Sequence, residues 1–343
     1  MKPLLNTLYI TKEDAYAFLE NGNVVVKEGN DILGKFPLLT LSGIVMFTNK
    51  GASPYLMNAC IENEILLSMY SPSGKFLAQA SGMPHGNVLL RREQYRIADN
   101  DIKSLAIARS MIVGKIYNGR WSIERTIRDH GTVINTEKLE TISNYLYSVL
   151  QMINDVASTV ELRGIEGKSA VAYFMAINDM IITNKESFIF KSRNRRPPTD
   201  TVNAMLSFAY SLLANECSQA LISVGFDPYV GFMHRDRPGR HSLALDLMEE
   251  LRPIIGDRFV LTLINDRKIN QGDFEVQENG AVLLTNPGRK RFLSAWQERK
   301  MVEITHPYLQ EKVPWGLVPY IQAQLLRKYI RGDIDGYPPL LWK

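Results

Sequence analysis

At 343 residues, with 45% hydrophobic side chains, the chain is long enough for two cores and too apolar to be a disordered tail. A formal charge of +4 and a pI near 8.8 permit an anionic partner without requiring one. Its two cysteines, Cys60 and Cys217, stand far apart in apolar segments, which argues against a disulfide framework and for buried thiols in a reducing compartment.

The N-terminus, MKPLLNTLYITKEDAYAF, meets Glu13 and Asp14 too early to form a signal peptide, and the expected location is cytoplasmic. Short β-branched or aromatic runs at 7–11, 23–26 and 43–47 read as strands, separated by turn clusters such as Glu20-Asn21-Gly22-Asn23 and Glu28-Gly29-Asn30-Asp31. A helix is expected from about 53 to 62, then a strand at 65–70 and a hairpin turn at Pro72-Ser73-Gly74. These elements predict a small antiparallel sheet domain over residues 1–95. It carries no cluster of catalytic groups, so its expected work is packing against a copy of itself or a partner.

Beyond Asp99-Asn100-Asp101 the period becomes helical. Leu139, Ile142, Leu146, Val149, Ile153, Val156 and Val160 recur three and four apart, which predicts an apolar seam along one long helix. Asp200, preceded by Pro197-Pro198, caps the next helix, which ends at Gly225. Its apolar run, 204–224, is broken by Ser207, Asn215, Glu216 and Gln219 and is therefore a buried helix rather than a membrane span. The stretch 231–253, GFMHRDRPGRHSLALDLMEELRP, ends in a helix marked by Leu243, Leu247 and Leu251, with Ser242 as the expected cap and Pro253 as the expected stop. A short hairpin is expected from 260–264 and the turn at Gly280, followed by helices near 289–304 and 315–330 and a non-helical tail at 335–339. The fold class is α+β: a small N-terminal antiparallel β-sheet domain, then a larger all-α domain over 96–343.

Within 231–253, Asp246 and Glu249 sit three apart and share one side of the helix, and the Pro238-Gly239 turn lets His234 fold back toward them. One imidazole and two carboxylates suit a divalent cation, although acidic pairs on helix surfaces are commonly just solvated. A second acidic motif, ELRGIEG at 161–167, offers Glu166 as a third carboxylate. Gly164 and Gly167 beside it suggest the close approach of a backbone or ligand; the plainer alternative is an acid complementing a helix dipole. Basic residues cluster at Arg193, Arg195 and Arg196 on a proline-stiffened loop, at Arg289, Lys290 and Arg291 with Arg299 and Lys300, and at Arg91 and Arg92 with Arg96. Arginine forks match phosphate oxygens, and three such clusters around an acidic, histidine-bearing stretch read as a nucleic-acid track about a metal centre. Each cluster taken alone is equally a solvated loop or helix face.

The motifs ELRGIEG, RNRRPPTDTVNAMLSFAYSLL and GFMHRDRPGRHSLALDLMEELRP, with LLRREQYR before them and YPPLLWK after, resemble the CRISPR-associated integrase family, also called the CRISPR-associated endonuclease, over essentially the whole chain. The likeness is to the subset found with type I systems. It implies Mg²⁺ or Mn²⁺ held by Glu166, His234 and Glu249, with Asp246 beside the ion; many members carry aspartate where this chain has Glu249. It implies catalysis by those four residues: the 3′-OH of a captured double-stranded DNA fragment attacks a phosphodiester at a CRISPR repeat boundary, and with water as nucleophile the same site cuts DNA. The implied partners are a second copy, giving a homodimer through the β domain, and a small ferredoxin-like CRISPR-associated protein whose dimer bridges two such dimers into a heterohexamer. Two rival readings stand beside it: a metal-dependent nuclease that integrates nothing, and a nonenzymatic DNA-binding scaffold whose acids serve as salt-bridge partners. His241 reads as a cap or surface residue, and His85, His130 and His306 as structural.

Overall fold

The computed structural model describes residues 6–63, 65–71, 76–80, 87–195 and 197–343. The expected turn at 72–74, together with His85 and Arg196, lies outside them. The chain opens with β1 (Thr7–Ile10), β2 (Ala15–Glu20), β3 (Asn23–Glu28), β4 (Asp31–Pro37) and β5 (Gly43–Phe47), followed by α1 (Pro54–Glu62), β6 (Leu66–Tyr70) and β7 (Phe76–Ala80). Strands β2, β3 and β4 form an antiparallel meander in which β3 alone falls on an expected strand. Asn21 and Gly22 both have positive φ, 48° and 74°, as a two-residue hairpin loop joining right-twisted strands requires. The second sheet, in order β1-β5-β6-β7, is mixed: β5 pairs parallel with β1 and β6, and only β7 is antiparallel. Its parallel pairing follows from α1, which supplies the crossover that a parallel neighbour needs. Ser53 caps α1 by accepting from the Leu56 N–H at 3.2 Å, and Leu56 and Cys60, one turn apart, enter the core beside Ile44, Met46 and Leu67. Both cysteines are free, buried thiols.

The helical part runs α2 (Val88–Ala98), α3 (Asp101–His130), α4 (Glu137–Met152), α5 (Thr159–Met180), α6 (Thr201–Val224), α7 (Ser242–Leu251) and α8 (Arg258–Asn265). The hairpin β8 (Phe274–Val276) and β9 (Val282–Leu284) follows, then α9 (Asn286–Met301), β10 (Glu303–Thr305), β11 (Lys312–Pro314) and α10 (Val318–Ile330). Among the described residues no helix is long and apolar enough to cross a membrane. Asp200 caps α6 by accepting from the Asn203 N–H at 2.7 Å, and Gly225, at φ 100°, ends it.

Three expectations are corrected. The seam from Leu139 to Val160 belongs to two helices. A 3₁₀ turn at Ile153–Asp155 closes α4, and Ser158 starts α5 by accepting from the Glu161 N–H while Glu161 Oε2 accepts from the Ala157 N–H. That reciprocal cap is a helix start in its own right. Pro253 does not stop α7 either: Arg252–Asp257 form a π turn, with the Arg258 N–H reaching the Pro253 carbonyl, and α8 continues from it. The widened turn absorbs a proline that has no N–H to give. Residues 260–264 are consequently helical, and the hairpin around Gly280 is built from β8 and β9 instead.

The chain divides into two compact units, one of Met1–His85, Gly272–Glu275 and Leu283–Val302, the other of Gly86–Gln271, Val276–Val282 and Glu303–Lys343. Of the helices, α2 falls in the helical unit and α9 in the strand unit. Gln94 fixes α2 by donating to the carbonyls of Asp227 and Val230 at 2.7 and 2.8 Å while accepting from the Asp227 N–H. α9 stacks Arg289 over the Phe47 ring at 5.6 Å.

Candidate metal centre

The centre lies within the helical unit and draws on α3, α5, α7 and the loop before α7. Leu243, Leu247 and Leu251 are fully buried, as the spacing predicts. Asp246 and Glu249 are buried as well, at 0% and 4% exposure, so neither is a solvated surface acid. Close approach of α7 to α3 is permitted by Gly114, where a Cβ would stand 2.7 Å from that of Glu250. Ser242 does not cap α7; it is the first helical residue, and its hydroxyl donates to the Arg235 carbonyl at 3.2 Å.

Asp246 organises the preceding loop. Its Oδ2 accepts from the N–H groups of Phe232 and Met233 at 2.6 and 2.9 Å, and its Oδ1 accepts from the His234 N–H at 3.0 Å and lies 2.6 Å from His234 Nδ1. With Nδ1–H donating to the carboxylate, the neutral ring carries its remaining lone pair on Nε2, the arrangement typical of a metal-binding histidine. The Gly231 of the motif is required here, since a Cβ would fall 2.7 Å from Asp246 Oδ2 and 2.9 Å from Ser242 Cβ. From α5, Arg163 holds the same loop, its Nε donating to the Met233 carbonyl at 3.0 Å and its Nη2 to the same oxygen.

Glu166 and Glu249 converge on one cation. The Lys115 ammonium, carried by α3, touches Glu166 Oε1 and lies 2.6 Å from Glu249 Oε2, while Arg252 Nη2 donates to Glu249 Oε1 at 2.9 Å. Burial pushes the Glu249 carboxyl up, but the charges of Arg252 and Lys115, the Lys115 contact and the field of His234 together outweigh it and hold the group at about 2. Among the described residues no three or more His, Cys, Asp and Glu side chains are already gathered around a single point fit for a metal ion. The structure brings Glu166 to Glu249 and His234 to Asp246, as two pairs. Their chemistry nonetheless fits a hard divalent ion: two carboxylates already meet on a positive charge, the buried Glu249 Oε2 having the Lys115 ammonium as its partner, and the oxygen–imidazole set suits Mn²⁺ well and Mg²⁺ tolerably.

Lys115, Arg163 and Arg252 were not singled out by the sequence reading. Arg252 was legible, because it stands three residues after Glu249 on a helical period, and Arg163 lies inside ELRGIEG itself. Lys115 has no such signal, its partners being 51 and 134 positions away. Gly164 and Gly167 meet no other backbone; a Cβ on either would find open space.

The basic residues separate on inspection. Arg193 is turned inward, with Nη1 donating to Asn203 Oδ1 at 2.7 Å, Nη2 to Ser207 Oγ at 3.0 Å and the guanidinium 5.2 Å from the centre of the Tyr210 ring. Arg289 is buried, and Arg291 pairs with Asp273 while remaining half-exposed. Arg195 and Lys290 are exposed. His241 is partly buried, with Nδ1 3.0 Å from Ser218 Oγ, and His306 is fully buried with Nε2 3.0 Å from Gln322 Oε1, both in structural settings.

An α+β chain whose helical unit pairs two glutamates on one lysine and locks a histidine against an aspartate belongs to a class recognisable by its relatives. The family model described as CRISPR associated protein Cas1 matches residues 8–298. Over 343 residues the chain is 42% identical to a CRISPR-associated endonuclease Cas1 of Chlorobaculum tepidum, covering all of both proteins. Among solved structures it is similar to a casposase bound to integration product, with TM-score 0.84 and 23% identity, over 98% of this chain and 94% of that one. It is also similar to a Cas6-RT-Cas1–Cas2 complex, with TM-score 0.83 and 22% identity, over 100% of this chain and 36% of that one. The chain belongs to the Cas1 family.

Proposed function

We propose that this chain is a metal-dependent DNA endonuclease and integrase of CRISPR adaptation, which joins captured DNA fragments to a CRISPR array by transesterification. The convergence of Glu166 and Glu249 on one cation, beside a histidine locked by Asp246, is the observation that carries the reading. The names of its relatives, an endonuclease and a casposase bound to integration product, support the same chemistry. Glu166, Glu249 and His234 Nε2 would hold Mg²⁺ or Mn²⁺. When bound, such an ion polarises the phosphoryl group and favours deprotonation of the attacking hydroxyl.

The chain's own residues prepare that site. Asp246 fixes the ring orientation of His234 through the Nδ1 contact and holds the loop through three backbone N–H groups, and Arg163 holds the same loop. Arg252 neutralises the Glu249 oxygen turned away from Lys115 and keeps that carboxylate ionised in a buried setting. In the reaction a fragment 3′-OH attacks a backbone phosphorus at the repeat boundary. The new P–O bond forms as the old one breaks, and the displaced 3′-oxygen leaves as a hydroxyl after taking up a proton. With water as nucleophile the outcome is a cut. Arg195 and Lys290, both exposed, with the half-exposed Arg291, are offered to phosphates. The working assembly is a homodimer through the strand unit, two of which are bridged by a dimer of the small ferredoxin-like partner; a complex that names both Cas1 and Cas2 among the similar structures supports this.

The test is strand rejoining on a branched DNA substrate with Mn²⁺, comparing the unmodified protein with His234→Ala. Rejoining by the first and not the second is the expected result. A substrate that is only cut points to a nuclease without integrase activity, and identical behaviour of both proteins removes the metal site from the mechanism.

A further inference from the structure

Around Glu249 four charged groups meet. Glu166 and Glu249 supply two negative charges, Lys115 and Arg252 two positive ones, and the side chains of Lys115, Glu166, Glu249 and Arg252 are 11%, 23%, 5% and 10% exposed. Among these four, charge is balanced. The Lys115 ammonium also stands where the two carboxylates point, touching Glu166 Oε1 and 2.6 Å from Glu249 Oε2. A divalent ion bound by the same oxygens would sit about 2.0–2.2 Å from each, leaving no room for a nitrogen between them. Loading the ion therefore requires Lys115 to withdraw. Withdrawal strips the ammonium of two charge-assisted contacts in a poorly solvated place, which is unfavourable unless another anion receives it. A DNA phosphodiester arriving at the ion brings that anion.

We infer that Lys115 is an internal cation which occupies the divalent-ion position in the free protein and makes ion loading conditional on a phosphodiester, onto which its ammonium transfers. The inference rests on the metal reading of Glu166 and Glu249 and adds to it the order in which the site fills. Binding of Mn²⁺ and DNA is then reciprocally coupled: each tightens the other by the same factor. Replacing the ammonium by an uncharged side chain removes the competitor and the coupling together.

The experiment is calorimetric titration of Mn²⁺ into the full chain, with and without an unreactive DNA duplex, for the unmodified protein, Lys115→Met and Lys115→Arg. Heat that disappears in Glu166→Gln is counted as binding at this site. The unmodified protein should bind Mn²⁺ about tenfold or more tightly when DNA is present. Lys115→Met should bind the ion alone about tenfold more tightly than the unmodified protein, with little further gain from DNA, while Lys115→Arg keeps the coupling. Melting curves provide a second reading: Mn²⁺ alone should raise the Tm of Lys115→Met by more than that of the unmodified protein, because the ion replaces a missing charge. Equal or weaker Mn²⁺ binding by Lys115→Met overturns the inference while leaving the metal site standing. So does a variant that stays unfolded even in Mn²⁺. Absence of any Glu166-dependent Mn²⁺ binding, in every protein and with DNA present, instead defeats the metal reading itself.

Discussion

Asp246→Asn gives the sharpest test of how the His234 loop is built. Asp246 is fully buried, and each of its oxygens faces two nitrogen donors: Phe232 N and Met233 N on one, His234 N and Nδ1 on the other. An amide has the same shape but only one acceptor oxygen: turned toward Phe232 and Met233 its NH₂ faces two donors, and turned toward His234 it faces the backbone N–H and an Nδ1 that can accept only in the other tautomer, which moves the ring proton to Nε2. The first arrangement loses two hydrogen bonds to a buried carboxylate, at about 1.5–3 kcal/mol each, which amounts to about 3–6 kcal/mol. For a unit of this size that is a Tm lowered by roughly 10 °C. His234→Ala, by contrast, leaves three backbone N–H groups on Asp246 and removes one bond to a ring that is 28% exposed, so its loss should be about half as large, near the lower end of about 1.5–3 kcal/mol. Both substitutions should abolish Mn²⁺ binding, yet the first should be the more destabilising. Calorimetric melting of the two variants decides it. If Asp246→Asn melts within about 2 °C of the unmodified protein, or His234→Ala falls further than it does, the loop is not held as argued.

The neighbouring glutamates should respond to pH in opposite senses. Burial pushes Glu250 up to about 7 despite the bonds it accepts from Tyr337, Gln322 and Leu340; its stabilising share is full below about 4.5 and is lost as pH rises through about 7. Tm curves of Glu250→Gln and the unmodified protein should therefore diverge between those values, and parallel curves would contradict the assignment. Glu249, held at about 2, contributes stability that is full above about 4.5 and lost only as pH falls toward about 2, which acid titration of Glu249→Gln against the unmodified protein will show. Gly164→Ala should stabilise by up to about 1 kcal/mol, since the new methyl meets open space in a helix, whereas Gly114→Ala should lose about 1–3 kcal/mol by pushing α7 from α3; chemical denaturation measures both. Arg193→Ala should lower Tm with little change in the salt dependence of DNA binding, while Lys290→Ala should reduce that slope by about 0.9 at unchanged Tm.

What could be read from the sequence was set by range. The leucine stripe of α7, the Asp200 cap, the Gly225 stop and the turn at Asn21-Gly22 are decided within a few residues, and the structure reproduces them. The break at 153–158 escaped because a 3₁₀ turn and three extended residues happen to keep the apolar phase, although Ser158 and Glu161 spelled a cap. Pro253 misled for a different reason: packing of α7 and α8 retains a π turn that local propensity would end. The candidate acids were found from motif spacing, but Asp246 read as a neighbour of the ion where the structure shows it spending both oxygens on the loop. The Lys115 contact joins residues on three separate helices, and no local pattern reports such a pairing.

Residues 337–342 are stitched to the residue beside Glu249. Glu250 accepts from Leu340 N at 2.8 Å and from the Tyr337 hydroxyl, and Asn118 donates to both the Glu250 and Leu340 carbonyls at 2.7 Å while accepting from Trp342 N. Trp342 lies 4.7 Å from the Arg258 guanidinium and edge-on to Trp315 at 5.2 Å. Trp342 therefore offers a native optical probe of whether that strap is seated beside the helix that presents Glu249.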